Sequence, residues 1–197
     1  LTALLLQAEN WDEAVESAAA LIALLPEHTG ERNGYALKAR ALRGKEDAAG
    51  ETAVLEEFAS RSAEAFQTYN RLIEVGFAGG DWDTVIANAQ RGLAINPFTE
   101  RIHYCRGCAH EAKAETDLAV RSFENVLRLG PANPSEVRFR LARLLKDGDA
   151  ATAKRHVLDA LADSPRYREA HDLLLAIVKE PEEETETAAE AESGPPP

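Results

Sequence analysis

Long apolar runs are missing from this chain of 197 residues. None approaches the ~20 residues that a transmembrane helix needs, so we expect no insertion into a membrane. The short run Leu4–Leu6 has no basic flank before it and no small-residue cleavage site after it, which argues against a signal peptide.

Methionine is absent, even at position 1, and cysteine is scarce. The chain opens inside what reads as a repeat, so we expect it to be the C-terminal repeat array of a larger protein. Two cysteines without a secretory context leave the redox compartment open. The sequence therefore assigns no localisation.

A basic stripe is also missing. The chain has 22 Lys and Arg against 34 Asp and Glu, a net charge of −12. Residues 180–197 hold seven glutamates and no base, and we expect a disordered acidic tail there. Because phosphate neutralisation by basic residues supplies most nucleic-acid affinity, we expect no nucleic-acid partner.

The motifs of common enzyme classes are absent. The sequence contains no GxSxG, HExxH, GxxxxGK(S/T) or GxGxxG, and its carboxylates are scattered over helix faces expected to be solvated. Alternating β-branched runs are few, so strands are not expected. The sequence predicts an all-α protein that is not an enzyme and uses no cofactor or metal.

The chain does contain a repeat of 34 residues. Prolines recur at this spacing, and a small residue stands twelve positions before each of them. A fixed period in this range indicates an array of supersecondary units, each too small to bury its own apolar face. The repeating pairs are Val85 with Pro97, Ala119 with Pro131 and Ala153 with Pro165; Ala14 with Pro26 is a fourth pair, displaced by three residues, and Glu51 replaces the small residue in a degenerate unit.

Each unit reads as helix, turn, helix. Residues 66–77 carry apolar side chains at helical spacing, Gly79 and Gly80 break the helix, and Asp81 is a candidate N-cap for a second helix to about Ile95. We place units at about 1–28, 29–62, 63–97, 98–131 and 132–165. A capping helix over 167–179 should bury Ala170, Leu173, Leu174, Ile177 and Val178.

These marks resemble the tetratricopeptide repeat, whose pattern pairs W-x2-L-G-x2-Y with A-x3-F and a proline. Gly107, Ala119, Phe123 and Pro131 match it, whereas histidine stands at the tryptophan and tyrosine sites of the same unit. The resemblance covers about residues 1–179. It implies a right-handed superhelical solenoid of antiparallel helix pairs, with a concave groove lined by the first helix of each pair.

By this resemblance, a mixture of Arg, Tyr, Phe and polar side chains lines the groove. Such a mixture suits peptide recognition, because aromatic and Arg anchors dominate binding hot spots. The sequence thus predicts a non-catalytic scaffold that binds a protein or peptide; the alternative is that these residues are ordinary half-exposed ones. The predicted groove residues are Arg40, Arg43, Asn70, Glu74, Phe77, Arg101, Tyr104, Cys108, Glu111 and Arg138.

The segment 103–110, HYCRGCAH, offers a rival interpretation as a zinc or thiol site. On one helix, however, Cys105 and Cys108 project roughly opposite to His103 and His110. A redox CxxC also usually begins at a helix N-terminus rather than mid-helix. The alternative is that both histidines fill aromatic packing sites, with one thiol in the groove and one packed.

Two further hypotheses remain open. The array could be an accessory C-terminal domain of a larger bacterial enzyme with a metallopeptidase-like parent, its partner then being an upstream domain of the same polypeptide. Separately, a basic patch in the last unit could receive an acidic partner peptide or the chain's own Glu tail, or could be a solvated face balanced by Glu136 and Asp147. The patch consists of Arg138, Arg140, Arg143 and Lys146.

Overall fold

The computed structural model describes residues 1–30, 33–62 and 65–179, and every regular element in these ranges is a helix. The predicted acidic tail, 180–197, lies outside the described residues. Along the described chain, no helix is both long enough and apolar enough to cross a membrane. The chain divides into two compact units, Leu1–Cys105 and Arg106–Pro197.

The first unit is a series of helices in which each packs against the next. Turns of two or three residues join the two helices of each pair, which form hairpins of the kind that the period predicts. Ile102 of the seventh helix also contacts the sixth, at Gly92. The helices are α1 (Thr2–Gln7), α2 (Trp11–Leu24), α3 (Gly34–Gly44), α4 (Ala48–Arg61), α5 (Phe66–Gly79), α6 (Trp82–Ile95) and the start of α7 (Glu100–Ala112).

The second unit continues the plan with the end of α7 and with α8 (Thr116–Arg128), α9 (Pro134–Leu145), α10 (Ala150–Asp163) and a helix over 168–179, here α11. Ala170 and Ile177 are buried in α11 as expected. Val178, expected on the covered face, is 38% exposed. It lies at the edge of the apolar stripe, so the predicted inner face is too wide.

Local side chains begin the second helices of three pairs. The side chains of Asp47, Asp81 and Asp149 accept hydrogen bonds from the backbone N–H groups three residues later, at 2.9, 3.1 and 3.0 Å. Each bond satisfies one of the four donors that a helix N-terminus leaves free. Residues a few positions apart therefore set where α4, α6 and α10 start.

The turn inside four pairs has one geometry. The residue before the second helix's N-cap is left-handed, with φ of 56° at Glu9, 60° at Glu46, 71° at Gly80 and 58° at Ala114. In each turn the next backbone N–H bonds to the carbonyl five residues earlier, as in Asp81 to Gly76 at 2.8 Å. This is the pattern of a Schellman motif, which favours glycine at the left-handed position.

The core is built on the repeating small residue. Ala14, Val85, Ala119 and Ala153 are all 0% exposed. Close approach of the paired helices is clearest at Gly107, where an added Cβ would lie 2.7 Å from the buried Phe123 ring. The small residues are needed because helices 8–10 Å apart leave little room for side chains at the contact.

Candidate partner-binding face

Glu51 occupies the position of the small residue in the second pair, and it is 2% exposed. One of its oxygens, Oε1, accepts hydrogen bonds from Nε of Arg43 at 2.9 Å and from Nε of Arg71 at 2.7 Å. The other, Oε2, accepts a second bond from Arg71 at 2.8 Å. A buried charge is tolerated only when it is paired and hydrogen-bonded, and two arginines meet that requirement here.

The pairing continues along the chain. Arg71 donates to Oε2 of Glu74 at 2.9 Å, and Oε1 of Glu74 lies 3.0 Å from the guanidinium of Arg101. Arg43, Glu51, Arg71, Glu74 and Arg101 thus alternate in sign and join α3, α4, α5 and α7. We call these five residues the arginine ladder.

The ladder perturbs the protonation of its members. Burial raises the pKa of Glu51, but hydrogen bonds from Arg71 and Arg43 outweigh burial and leave that pKa below its ordinary value. Hydrogen bonding to Glu51 raises the pKa of Arg71. Both effects keep the carboxylate and the guanidinium charged at neutral pH, so the ladder is a fixed array of charges.

The other predicted groove residues of the first unit lie on α3, α5 and α7, the helices that carry the arginines of the ladder. Arg40 is exposed, whereas Asn70 and Tyr104 are half-buried. Phe77, 36% exposed, meets the Trp82 ring edge-on with centroids 5.6 Å apart. Helical spacing places Asn70 and Phe77 on the same side of α5 as Glu74.

The remaining predicted groove residues lie in the second unit. Cys108 is buried, and Glu111 accepts a hydrogen bond from Arg140 at 2.8 Å and pairs with Arg143. Arg138 pairs with Asp163 of α10. The predicted basic patch is therefore balanced chiefly by carboxylates of other helices, and only in part by its own neighbours Glu136 and Asp147.

Two members of the ladder, Glu51 and Arg71, were not among the predicted groove residues. The available signal was the charge at position 51, because every other unit has Ala or Val at that place. A charge on a face that is buried elsewhere requires a partner. Nothing in the sequence indicated that Arg71, which lies 20 residues from Glu51, is its partner.

The histidines of the 103–110 segment have protein partners. Nε2 of His103 donates to the Pro97 carbonyl at 2.9 Å, and His171, two helix pairs further along at α11, donates to the Pro165 carbonyl at 3.0 Å. His110 donates from Nδ1 to Glu115 at 2.6 Å. The repetition of the first bond favours a packing and capping role at the tryptophan site.

Both cysteines are thiols outside any disulfide, and both are buried. Burial raises the pKa of the Cys105 thiol, against a lowering effect of Arg101. Reactive thiols need the opposite shift, since the thiolate is the nucleophile and the metal ligand. Both thiols are thus buried, and the placement of Cys108 in the groove stays a prediction. Among the described residues, no three His, Cys, Asp or Glu side chains group closely enough to hold a metal ion.

Comparison with known proteins identifies the fold. No family model and no curated sequence matches the chain. Solved structures do match, at 14% identity: MamA (TM-score 0.66, covering 85% of this chain and 92% of MamA) and YrrB (0.68, 87% and 87%). YrrB is described as a TPR protein with an unusual peptide-binding site.

A third match is the C-terminal part of a TPR repeat-containing protein from Cytophaga hutchinsonii, with a TM-score of 0.65 and 14% identity. It covers 92% of this chain and 71% of that structure. The predicted fold class, an all-α array of tetratricopeptide-like helix pairs, is confirmed.

Proposed function

We propose that this chain, which has the fold of tetratricopeptide-repeat proteins, is a non-catalytic interaction module that binds a peptide or partner domain on the first helices of its first unit. We define the first-helix face as the predicted residues of α3, α5 and α7 in that unit. The face consists of Arg40, Arg43, Asn70, Glu74, Phe77, Arg101 and Tyr104.

The observation that carries this proposal is the arginine ladder. It ties α3, α5 and α7 together by ion pairs, so the helices that bear the face are held in one arrangement before any partner arrives. A binding surface fixed in advance loses less conformational entropy on association. The aromatic rings of Phe77 and Tyr104 stay partly exposed beside it.

Two further points support the proposal. Arg, Tyr and aromatic side chains are the residue types that concentrate binding energy at interfaces, and the first-helix face is rich in them. YrrB, described as having a peptide-binding site, shares the fold across 87% of this chain. Fold likeness supports the general role, while the choice of face depends on the residues of this chain.

The test is affinity capture with the full chain immobilised, followed by identification of what is retained. We expect the double variant Arg101→Ala/Tyr104→Ala to lose the partner while its far-UV circular dichroism stays unchanged. Arg121→Ala, an exposed arginine on α8, is the matched control and should retain the partner. Retention unaffected by the double variant would place the binding surface elsewhere.

The same experiment addresses the origin of the partner. Identification of the retained protein separates a protein from a different gene from an upstream domain of the same polypeptide. Either result is compatible with a binding module. The second result would favour the accessory-domain hypothesis.

A further inference from the structure

We infer that the partner segment is an acidic peptide, whose carboxylates are received by Arg43, Arg71 and Arg101. This inference rests on the proposed function and specifies the chemistry of the ligand. It follows from the charge of the arginine ladder, from the way that Glu51 positions it, and from the exposure of its members.

The ladder has a local surplus of positive charge. Three guanidiniums alternate with the two carboxylates of Glu51 and Glu74, which leaves one positive charge uncompensated. Arg40 is exposed on α3 one turn before Arg43 and adds another. Within the ladder the net sign is opposite to that of the whole chain, at −12.

Stability alone is a poor explanation for Glu51. The equivalent residues, Ala14, Val85, Ala119 and Ala153, fill the same buried position without charge. Replacing a buried ion pair by a well-packed apolar residue is often neutral or stabilising. What a carboxylate supplies here, and alanine cannot, is a fixed position for two arginines.

That position is specific. Nε of Arg43 and Nε of Arg71 both lie within hydrogen-bond distance of the single oxygen Oε1 of Glu51, at 2.9 and 2.7 Å. Two like charges are thereby held side by side, and an incoming carboxylate reduces the repulsion between them. Arginine pairs with carboxylates through two parallel N–H donors, so preset guanidiniums favour a carboxylate ligand.

The exposure of the three arginines suits this role. Arg71, at the centre, is 26% exposed and gives three N–H groups to Glu51 and Glu74. Arg43 and Arg101, at the two ends, are 51% and 70% exposed. A guanidinium has five N–H donors, so the outer arginines have donors to offer at the surface.

A peptide fits this surface better than a nucleic acid. The surplus positive charge is confined to a few side chains, and nucleic-acid affinity requires a row of basic residues matched to a phosphate backbone. Phe77 and Tyr104, on the same helices, add apolar contact for the flanking residues of a peptide. We therefore expect Asp or Glu beside apolar residues in the bound segment.

The first part of the test selects ligands without assuming their charge. A random octapeptide library is panned on the immobilised full chain, and the retained peptides are sequenced. We expect Asp and Glu to be enriched several-fold. Retained peptides that depend on Tyr104 but lack this enrichment would overturn the inference and leave the proposed function standing. If no peptide is retained, both the proposed peptide binding and its acidic specificity are refuted.

The second part uses a retained acidic peptide and its copy with every Glu and Asp replaced by Gln and Asn. Fluorescence anisotropy should show binding at least about tenfold tighter for the acidic peptide, weakening as salt rises. Arg101→Gln should reduce affinity for the acidic peptide alone, while the control Arg121→Gln should change neither. Equal affinity for both peptides, or insensitivity to Arg101→Gln, would refute the assignment. So would equally strong competition by a single-stranded DNA oligonucleotide of the same charge.

Discussion

At the scale of single residues, glycine is required at position 107 because a neighbouring ring occupies the space of a side chain. An added Cβ would meet Phe123 Cε1 at 2.7 Å, and Phe123 is itself 0% exposed. Its ring therefore has little freedom to move aside. Gly79, in the last turn of α5, has nothing within 4 Å of the same added atom. Substitution of Gly107 therefore tests the packing between helices, whereas substitution of Gly79 tests helix propensity alone.

We predict that Gly107→Ala destabilises the chain by about 1–3 kcal/mol through overpacking. Gly79→Ala should leave stability unchanged or raise it by up to about 1 kcal/mol, because alanine is the better helix former. Urea denaturation followed by circular dichroism measures both. Equal midpoints for the two variants would show that the α7–α8 contact yields without cost.

At the scale of the element, the turn inside four of the helix pairs has a left-handed residue at the same place, and only one of the four is glycine. Gly80 adopts φ of 71° and Ala114 adopts 58° at equivalent places. A side chain in this conformation costs roughly 1–2 kcal/mol, because Cβ crowds the following carbonyl. The α7–α8 turn therefore stores strain that the α5–α6 turn avoids.

Ala114→Gly is expected to stabilise the chain by about 0.5–1 kcal/mol, the relief of strain less the extra chain entropy that glycine loses on folding. The reverse change one pair earlier, Gly80→Ala, should destabilise it by a similar amount. Thermal and urea unfolding of both variants provide the measurement. A drop in stability for Ala114→Gly would mean that the turn is not strained.

At the scale of the whole molecule, several titrating groups lower the stability of the folded chain in acid. Hydrogen bonds from Thr84 and Thr152 hold the pKa values of Asp81 and Asp149 below their ordinary range. The arginines have the same net effect on the pKa of Glu51, despite its burial. For each carboxylate the folded state holds fewer protons, so its contribution is present above the unfolded pKa and lost as pH falls through the folded one.

A half-buried histidine extends this effect towards neutral pH. Burial, with a further contribution from Arg155, lowers the pKa of His156. The unfolded chain then takes up a proton at about pH 6.5 while the folded chain does not, and stability falls as pH drops through that range. In alkali, burial raises the pKa values of Tyr35, Tyr167 and Cys105 in the folded chain. The same groups ionise at lower pH in the unfolded chain, so rising pH favours unfolding.

We predict a melting temperature that is highest between about pH 7 and 8 and falls on both sides, first below about pH 6.5 and more steeply below about pH 4.5. Glu51→Gln should be less stable than the parent at pH 7, with a shallower loss below pH 4.5 because one linked carboxylate is gone. Calorimetry across pH measures both curves. If the melting temperatures of the parent and the variant fall in parallel below about pH 4.5, protonation of Glu51 is not linked to unfolding.

How far the sequence predicts the site depends on the separation of the interacting residues. Arg43, Glu74 and Arg101 were predicted for the groove, since the resemblance to the tetratricopeptide repeat implies that they lie on the inner side of first helices. The pairing among them was not predicted, because a long side chain such as Arg71 can reach several neighbours. Which one it reaches depends on the distance between helices, and periodicity does not specify that distance.

The sequence by itself determined the helices, their caps and their succession. The apolar spacing of α5, the Asp81 cap and the 34-residue recurrence all act over short separations or repeat identically. Only the tertiary structure decided that Glu51 and Arg71, 20 residues apart, meet inside the first unit, and that Arg101 is drawn to Glu74. The physical reason is that a buried charge must find its partner in space, wherever in the chain that partner lies.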